Sequence, residues 1–123
     1  MDELIKRHHI SFKNAFSGLI WALTTQPNFR VHAILATIAI LTSWYVGLTQ
    51  IEWVLIILTI IWGMSAELIN TALEAMTDLI TSEWRHEAKI AKDVAAGMML
   101  TVAGGSVIIA FLLLVPKLIM KLM

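Results

Sequence analysis

The sequence predicts an all-α membrane protein: one amphipathic surface helix followed by three transmembrane helices. Three observations predict it. Hydrophobic residues make up 59% of the chain and charged ones 15%, against roughly 45–50% and 25% in soluble domains. A soluble domain of this size lacks the polar surface to cover so much apolar material. The apolar residues also gather into three long runs, where about 20 residues suffice to cross the hydrocarbon of a bilayer. Ahead of them lies a segment in which basic and apolar residues recur at helical spacing. The length, 123 residues, suits a single domain over 1–123. Lys plus Arg and Asp plus Glu both number 9, for a formal charge of zero, so no basic field exists to hold nucleic acid. The chain has no cysteine, which excludes disulfides, thiolate nucleophiles and cysteine-ligated metals. No cleavable secretory signal is expected, because the first apolar run starts after residue 20 and ends without a small-residue cleavage site.

Residues 1–26 carry Lys6, Arg7, His8, His9 and Lys13 among Leu4, Ile5, Ile10, Phe12, Phe16, Leu19 and Ile20. This pattern suits a helix lying on the membrane with its basic groups toward anionic headgroups. Pro27 is expected to end it or to start the turn that follows. The first membrane helix is placed at 31–48, from Val31 to Leu48, free of formal charge with His32 neutral. The second is placed at 53–80: apolar from Trp53 through Ala66, then more polar to Ile80 and extending into the cytoplasm. The third is placed at 94–115 and closed by Pro116 and Lys117. Within it Gly97, Thr101 and Gly105 form a small-residue stripe that lets helices approach. Trp21, Trp44, Trp53 and Trp84 sit near predicted boundaries as interfacial anchors, while Trp62 faces lipid or the core. The four histidines form no ligand set. His8 and His9 diverge on a helix, and His32 and His86 are isolated, reading as interfacial side chains.

Orientation follows from Lys and Arg. Lys6, Arg7, Lys13 and Arg30 precede the first span, and Arg85, Lys89 and Lys92 lie between the second and third. The 49–52 connection has none, and only Lys117 and Lys121 follow the third span. The positive-inside rule puts the N-terminus and the 81–93 loop in the cytoplasm.

The second span carries Glu67, Asn70, Thr71, Glu74 and Asp78, whose spacing keeps all five on one helical face. Counted from Trp53 at 1.5 Å per residue, Glu67 lies about 21 Å in and Glu74 roughly 31 Å in, near the inner edge of the hydrocarbon. Lys92 and Asp93 sit just before the third span, and Gln26, Asn28 and Arg30 just before the first. All these polar groups converge on the cytoplasmic interface. A carboxylate as deep as Glu67 is costly unless it faces a partner or water. One reading is structural: Glu74 and Asp78 form a wet helix end, and Glu67 pairs with Lys92 for packing. The other is a site. A carboxylate in an apolar setting suits general-base work, neighbouring carboxylates with an amide suit magnesium, and a lysine at that level suits phosphate. Together they describe phosphoryl transfer to an alcohol held at the membrane surface. A third reading is a small oligomeric transporter whose Glu67 binds protons or cations. That role calls for a carboxylate near the midplane with access to both sides, whereas Glu67 is displaced inward. No GxxxxGK[ST] loop, HRD, DFG or Rossmann fingerprint is present.

The stretch from Glu67 to Asp78 has the form ExxNTAxExxxD, and Ala91-Lys92-Asp93-Val94-Ala95-Ala96-Gly97 follows it. This double motif resembles the small prokaryotic integral-membrane lipid kinases, the diacylglycerol kinase/undecaprenol kinase family. Ser11-Phe12-Lys13-Asn14-Ala15-Phe16-Ser17-Gly18, Pro27-Asn28-Phe29-Arg30 and Val115-Pro116-Lys117-Leu118 are similar to the family's surface helix, first turn and ending. The resemblance covers nearly the whole chain. It implies a homotrimer in a bacterial plasma membrane, with active sites shared between neighbouring subunits. It also implies transfer of the ATP γ-phosphate to a membrane lipid hydroxyl, with Mg2+. By motif, Glu67 would be the catalytic base and Glu74 a metal ligand, with Asn70 and Asp78 completing the polar face. Lys92 would sit on phosphate and Asp93 would position the nucleotide. Arg7, Asn14 and Arg30 would come from the nucleotide-facing surface helix and the turn after it. The KDVAAG form and the PKL ending look like the Gram-positive-type members, which implies undecaprenol rather than diacylglycerol as acceptor. One position departs from the pattern: the family usually has a glutamate before the PNFR turn as second metal ligand, and here it is Gln26. That departure leaves open a member that has lost activity and persists as a lipid-binding scaffold.

Overall fold

The computed structural model describes the backbone of residues 2–123 and the side chains of residues 11–123. Four helices follow one another: α1 (Asp2–Thr25), α2 (Pro27–Val46), α3 (Gln50–Ile80) and α4 (His86–Leu122). No strand occurs among the described residues. Three of the helices, α2, α3 and α4, are long and apolar enough to cross a membrane.

Each boundary has a local cause, and several differ from the sequence expectation. α1 ends at Thr25, just ahead of Pro27 as expected, and Pro27 also starts the next helix. Gln26 is the extended N-cap and Pro27 occupies the first turn, where its missing N–H costs nothing and its fixed φ suits the helix. The first span therefore begins at Pro27 rather than Val31. It ends at Val46 because Gly47 adopts a left-handed φ of 74°. The Gly47 and Leu48 amides then both donate to the Ser43 carbonyl, at 3.1 and 3.3 Å, closing the last turn as glycine C-caps do. α3 begins at Gln50, ahead of the expected Trp53, through a capping box. Thr49 Oγ1 accepts from the Glu52 amide at 3.4 Å, and the Thr49 amide donates to Glu52 Oε2 at 2.7 Å.

The largest correction concerns α4. It starts at His86, not Val94, and it runs through Pro116 to Leu122 instead of stopping there. An internal proline forfeits one i→i−4 bond and strains the turn before it. Two side-chain contacts hold the turns beyond it. Lys117 Nζ lies 3.0 Å from Glu52 Oε2 on α3, and Lys121 Nζ lies 5.5 Å from the centre of the Tyr45 ring on α2.

α3 is the central and most buried of the three long helices, packed mainly on α4 and also on α2. At the end where α2 turns into α3, Leu48, Ile56 and Leu114 form a buried cluster flanked by Val46, Trp53 and Ile60. Midway along the bundle, Gly63 on α3 faces both neighbouring helices. A Cβ there would lie 3.8 Å from both His32 Nδ1 on α2 and Ser106 Oγ on α4. His32 is thus a half-buried interhelical group, not the isolated interfacial one expected, and it lines an apolar groove of about 410 Å³ between α2 and α4. The expected packing stripe behaves differently. A Cβ at Gly97 or Gly105 would meet nothing within 4 Å, so among the described residues neither glycine is in close contact with a neighbouring helix. Trp62 is likewise exposed.

Candidate functional site

Opposite the Leu48–Ile56–Leu114 cluster, the last turns of α3, the α3–α4 connection and the α1–α2 junction share one end of the bundle. α3 is 31 residues long, about 46 Å at 1.5 Å per residue, so its polar C-terminal half reaches the edge of a hydrocarbon layer about 30 Å thick. That half carries the polar face. Glu67 and Asn70 are buried, at 2% and 5% exposure, whereas Glu74 and Asp78 are exposed. The face thus runs from a dry interior to an open rim.

Glu67 Oε2 is buried and has no hydrogen-bond partner among the described residues. The structural reading in which Lys92 neutralises Glu67 does not hold, because Lys92 Nζ pairs with Asp78 Oδ1 across the α3–α4 connection. One turn beyond Glu67, Asn70 Nδ2 donates to Glu74 Oε1 at 3.0 Å, while Asn70 Oδ1 is buried and unpartnered. Isolated acceptors in a dry setting are expensive unless a donor arrives, so both oxygens are free to accept a hydrogen bond.

On α4, Lys89 pairs with Asp93 one turn along the same helix. Asp78, Lys92 and Asp93 line a polar cleft of about 680 Å³, together with Lys89, Trp84 and Arg85. The last three were not singled out from the sequence as site residues. Lys89 could have been, since it lies three positions before Lys92 and so on the same helical face. Trp84 reads from sequence as an interfacial anchor, and nothing local tells that it borders a cleft.

The remaining expected residues are less gathered. Gln26 is half-buried at the α1–α2 junction, where its Nε2 donates to Thr25 Oγ1 at 3.2 Å; the carbonyl end of its amide stays available as a ligand. Asn14 and Arg30 are exposed and make no side-chain hydrogen bond or ion pair among the described residues. The Arg7 side chain lies outside the described residues. No cluster of three acidic or histidine side chains able to hold a metal occurs among the described residues of one chain. Glu74, with one oxygen engaged by Asn70, still offers the other. One carboxylate and one amide suit a cation that keeps several waters and takes phosphate oxygens as its remaining ligands, as magnesium does.

This geometry coincides with a family likeness along most of the chain. The prokaryotic diacylglycerol kinase family matches residues 13–114. The undecaprenol kinase of Bacillus subtilis is 40% identical over 114 residues, 93% of this chain and 93% of that one. A diacylglycerol kinase of Synechocystis sp. is 40% identical over 111 residues, 89% of this chain but 63% of that one; the chain thus spans less than two thirds of that relative's length. The diacylglycerol kinase of Escherichia coli is 28% identical over 86 residues, 70% of each chain. With Glu67, Asn70, Glu74, Lys92 and Asp93 all inside the matched region, the chain belongs to the prokaryotic diacylglycerol kinase family.

Proposed function

We propose that this chain is an ATP-dependent lipid kinase that transfers the γ-phosphate of ATP to the hydroxyl of a membrane lipid, undecaprenol in preference to diacylglycerol. The observation that carries the reading is Glu67: a buried carboxylate with an unpartnered oxygen on the α3 face that leads on to Asp78, which lines the polar cleft with Lys92. The lipid enters from the bilayer and brings its hydroxyl to Glu67, while ATP arrives from the aqueous side at Lys92 and Asp93. The alcohol O–H bond breaks as its proton passes to Glu67 Oε2. The freed oxygen pair forms the new O–P bond, and the γ-phosphorus bond to the bridging oxygen breaks, leaving ADP. Lys92, released from Asp78 by the incoming phosphates, carries charge opposite the transferring group. Glu74 and Gln26 would hold Mg2+, which would supply positive charge to the phosphate oxygens.

Sidedness and assembly belong to the same proposal. Arg30, Arg85, Lys89 and Lys92 at the site end support a cytoplasmic position for it in a bacterial cell. α1 lies on that membrane face as the amphipathic surface helix, where Arg7 and Asn14 approach the nucleotide. Three copies assemble and share sites between neighbours. The exposed Gly97 on α4, with nothing within 4 Å of a Cβ there, and the lack of a three-ligand metal cluster among the described residues of one chain support this. The Bacillus undecaprenol kinase, matched over 93% of both chains, supports the acceptor. The test is ATP consumption by the purified protein in mixed micelles, with undecaprenol and diacylglycerol offered separately. Undecaprenol is expected to give the higher kcat/KM; phosphorylation of neither lipid would overturn the proposal.

A further inference from the structure

The kinase reading uses Glu67 and Glu74 but leaves the residue between them without a task. Asn70 is buried, one turn after Glu67 and one turn before Glu74 on the same face of α3. Its Nδ2 donates to Glu74 Oε1 at 3.0 Å. An ionised carboxylate only accepts hydrogen bonds, so the amide must turn its N–H toward Glu74 and its Oδ1 away. That Oδ1 is buried and lacks a donor among the described residues, and so does Glu67 Oε2. Positions three apart on a helix have Cβ atoms about 5–6 Å from each other, within reach for a hydrogen bond between the two side chains. Both free atoms are acceptors, however, and two acceptors cannot bond until one of them gains a proton.

We propose that Asn70 is a positioning residue that assigns the two carboxylates of α3 their different tasks, an inference that rests on the kinase reading above. Its N–H occupies one oxygen of Glu74, which turns that carboxylate so that the other oxygen is presented to the metal. Its Oδ1 stands ready for the proton that Glu67 takes. As the alcohol O–H bond breaks, the proton joins Glu67 Oε2, and the new Glu67 O–H donates to Asn70 Oδ1. The electron pair left on the alcohol oxygen goes into the O–P bond, and ADP leaves with the pair of the bond that breaks. The Glu67–Asn70 hydrogen bond exists only once the proton is moving. It therefore stabilises the transition state without tightening the resting complex, while the Asn70–Glu74 contact acts on the metal, as hydrogen bonds to metal ligands do.

Two variants of the full-length protein test this. Asn70→Leu removes both contacts at nearly constant volume, and Asn70→Gln keeps the same groups on a longer arm. Circular dichroism and gel filtration in detergent establish that each variant is folded and assembled. Mn2+ serves as the probe, titrated by electron paramagnetic resonance with a non-hydrolysable ATP analogue and no lipid. Asn70→Leu should weaken Mn2+ binding by about 10- to 100-fold and lower kcat at least about tenfold, with KM for the lipid essentially unmoved. Asn70→Gln should fall between it and wild type in both readouts. If Asn70→Leu does not fold, Asn70→Gln alone decides on the same two measurements. The Mn2+ titration reads the Asn70–Glu74 contact whether or not lipid is phosphorylated, so failure of the kinase reading would appear separately, as an inactive wild type. A folded variant with wild-type Mn2+ affinity and wild-type kcat would overturn the role of Asn70.

Discussion

Lys92 illustrates how much of the site depends on a few charges. Its ammonium is held by Asp78, so on the proposed reading the phosphates of ATP would compete with a carboxylate for it. Hydrogen bonds to charged groups are worth about 1.5–3 kcal/mol. Lys92→Met keeps the aliphatic length but not the charge, and it should lower kcat/KM for ATP by about 10- to 100-fold. An unchanged value would make Lys92 a topogenic charge and no more. Gln26 is the other residue with a sharp consequence. An amide oxygen can coordinate magnesium but brings no formal charge, so Gln26→Glu should lower the Mg2+ concentration needed for half-maximal rate. Identical Mg2+ dependence in the two forms would remove Gln26 from the metal site. A protein rescued by Gln26→Glu from complete inactivity would instead be the impaired family member.

At the scale of helices, what the sequence makes legible is what local spacing encodes. The polar face of α3 can be read because Glu67, Asn70, Glu74 and Asp78 recur at helical offsets, and the spans because apolar runs must match a bilayer. The order of depth along that face could be read from the same spacing, but which neighbours cover Glu67 and Asn70 could not. Nor could the Gly63–His32–Ser106 crossing, which joins three separated segments. Helix ends are only partly legible, for a physical reason as well. α1 does end just before Pro27, which also opens α2 because proline is welcome in a first turn, whereas Pro116, expected to close the third span, lies inside α4. At 116 its local cost is offset by tertiary contacts, chief among them Lys117 with Glu52, whose carboxylate also completes the Thr49 capping box. Glu52→Gln and Lys117→Met should each lower the midpoint of thermal unfolding in detergent, and the charge-exchanged double variant should recover part of the loss. Additive losses in the double variant would show that the pair contributes nothing specific.

For the whole molecule, one end of the bundle is fastened by the Leu48–Ile56–Leu114 cluster and the Glu52–Lys117 pair, and the other is left polar and open. A lipid reaches such an end from the side and a nucleotide from the water, which is the geometry that phosphorylation of a membrane alcohol requires. The displacement of Glu67 toward that end also argues against a transporter, whose binding carboxylate should sit near the midplane. The central claim is that Glu67 takes the proton of the lipid hydroxyl, and one measurement tests it most directly. γ-Labelled ATP and undecaprenol are supplied to the purified protein and to Glu67→Gln, and label is counted in the extracted lipid. Glutamine preserves size and polarity but cannot act as a base, and general-base catalysis is worth about 10²- to 10⁴-fold. The account predicts labelled lipid from the wild type and a loss of at least about a hundredfold in Glu67→Gln, which still assembles and binds nucleotide. Retention of more than about a tenth of the wild-type rate in Glu67→Gln would contradict it.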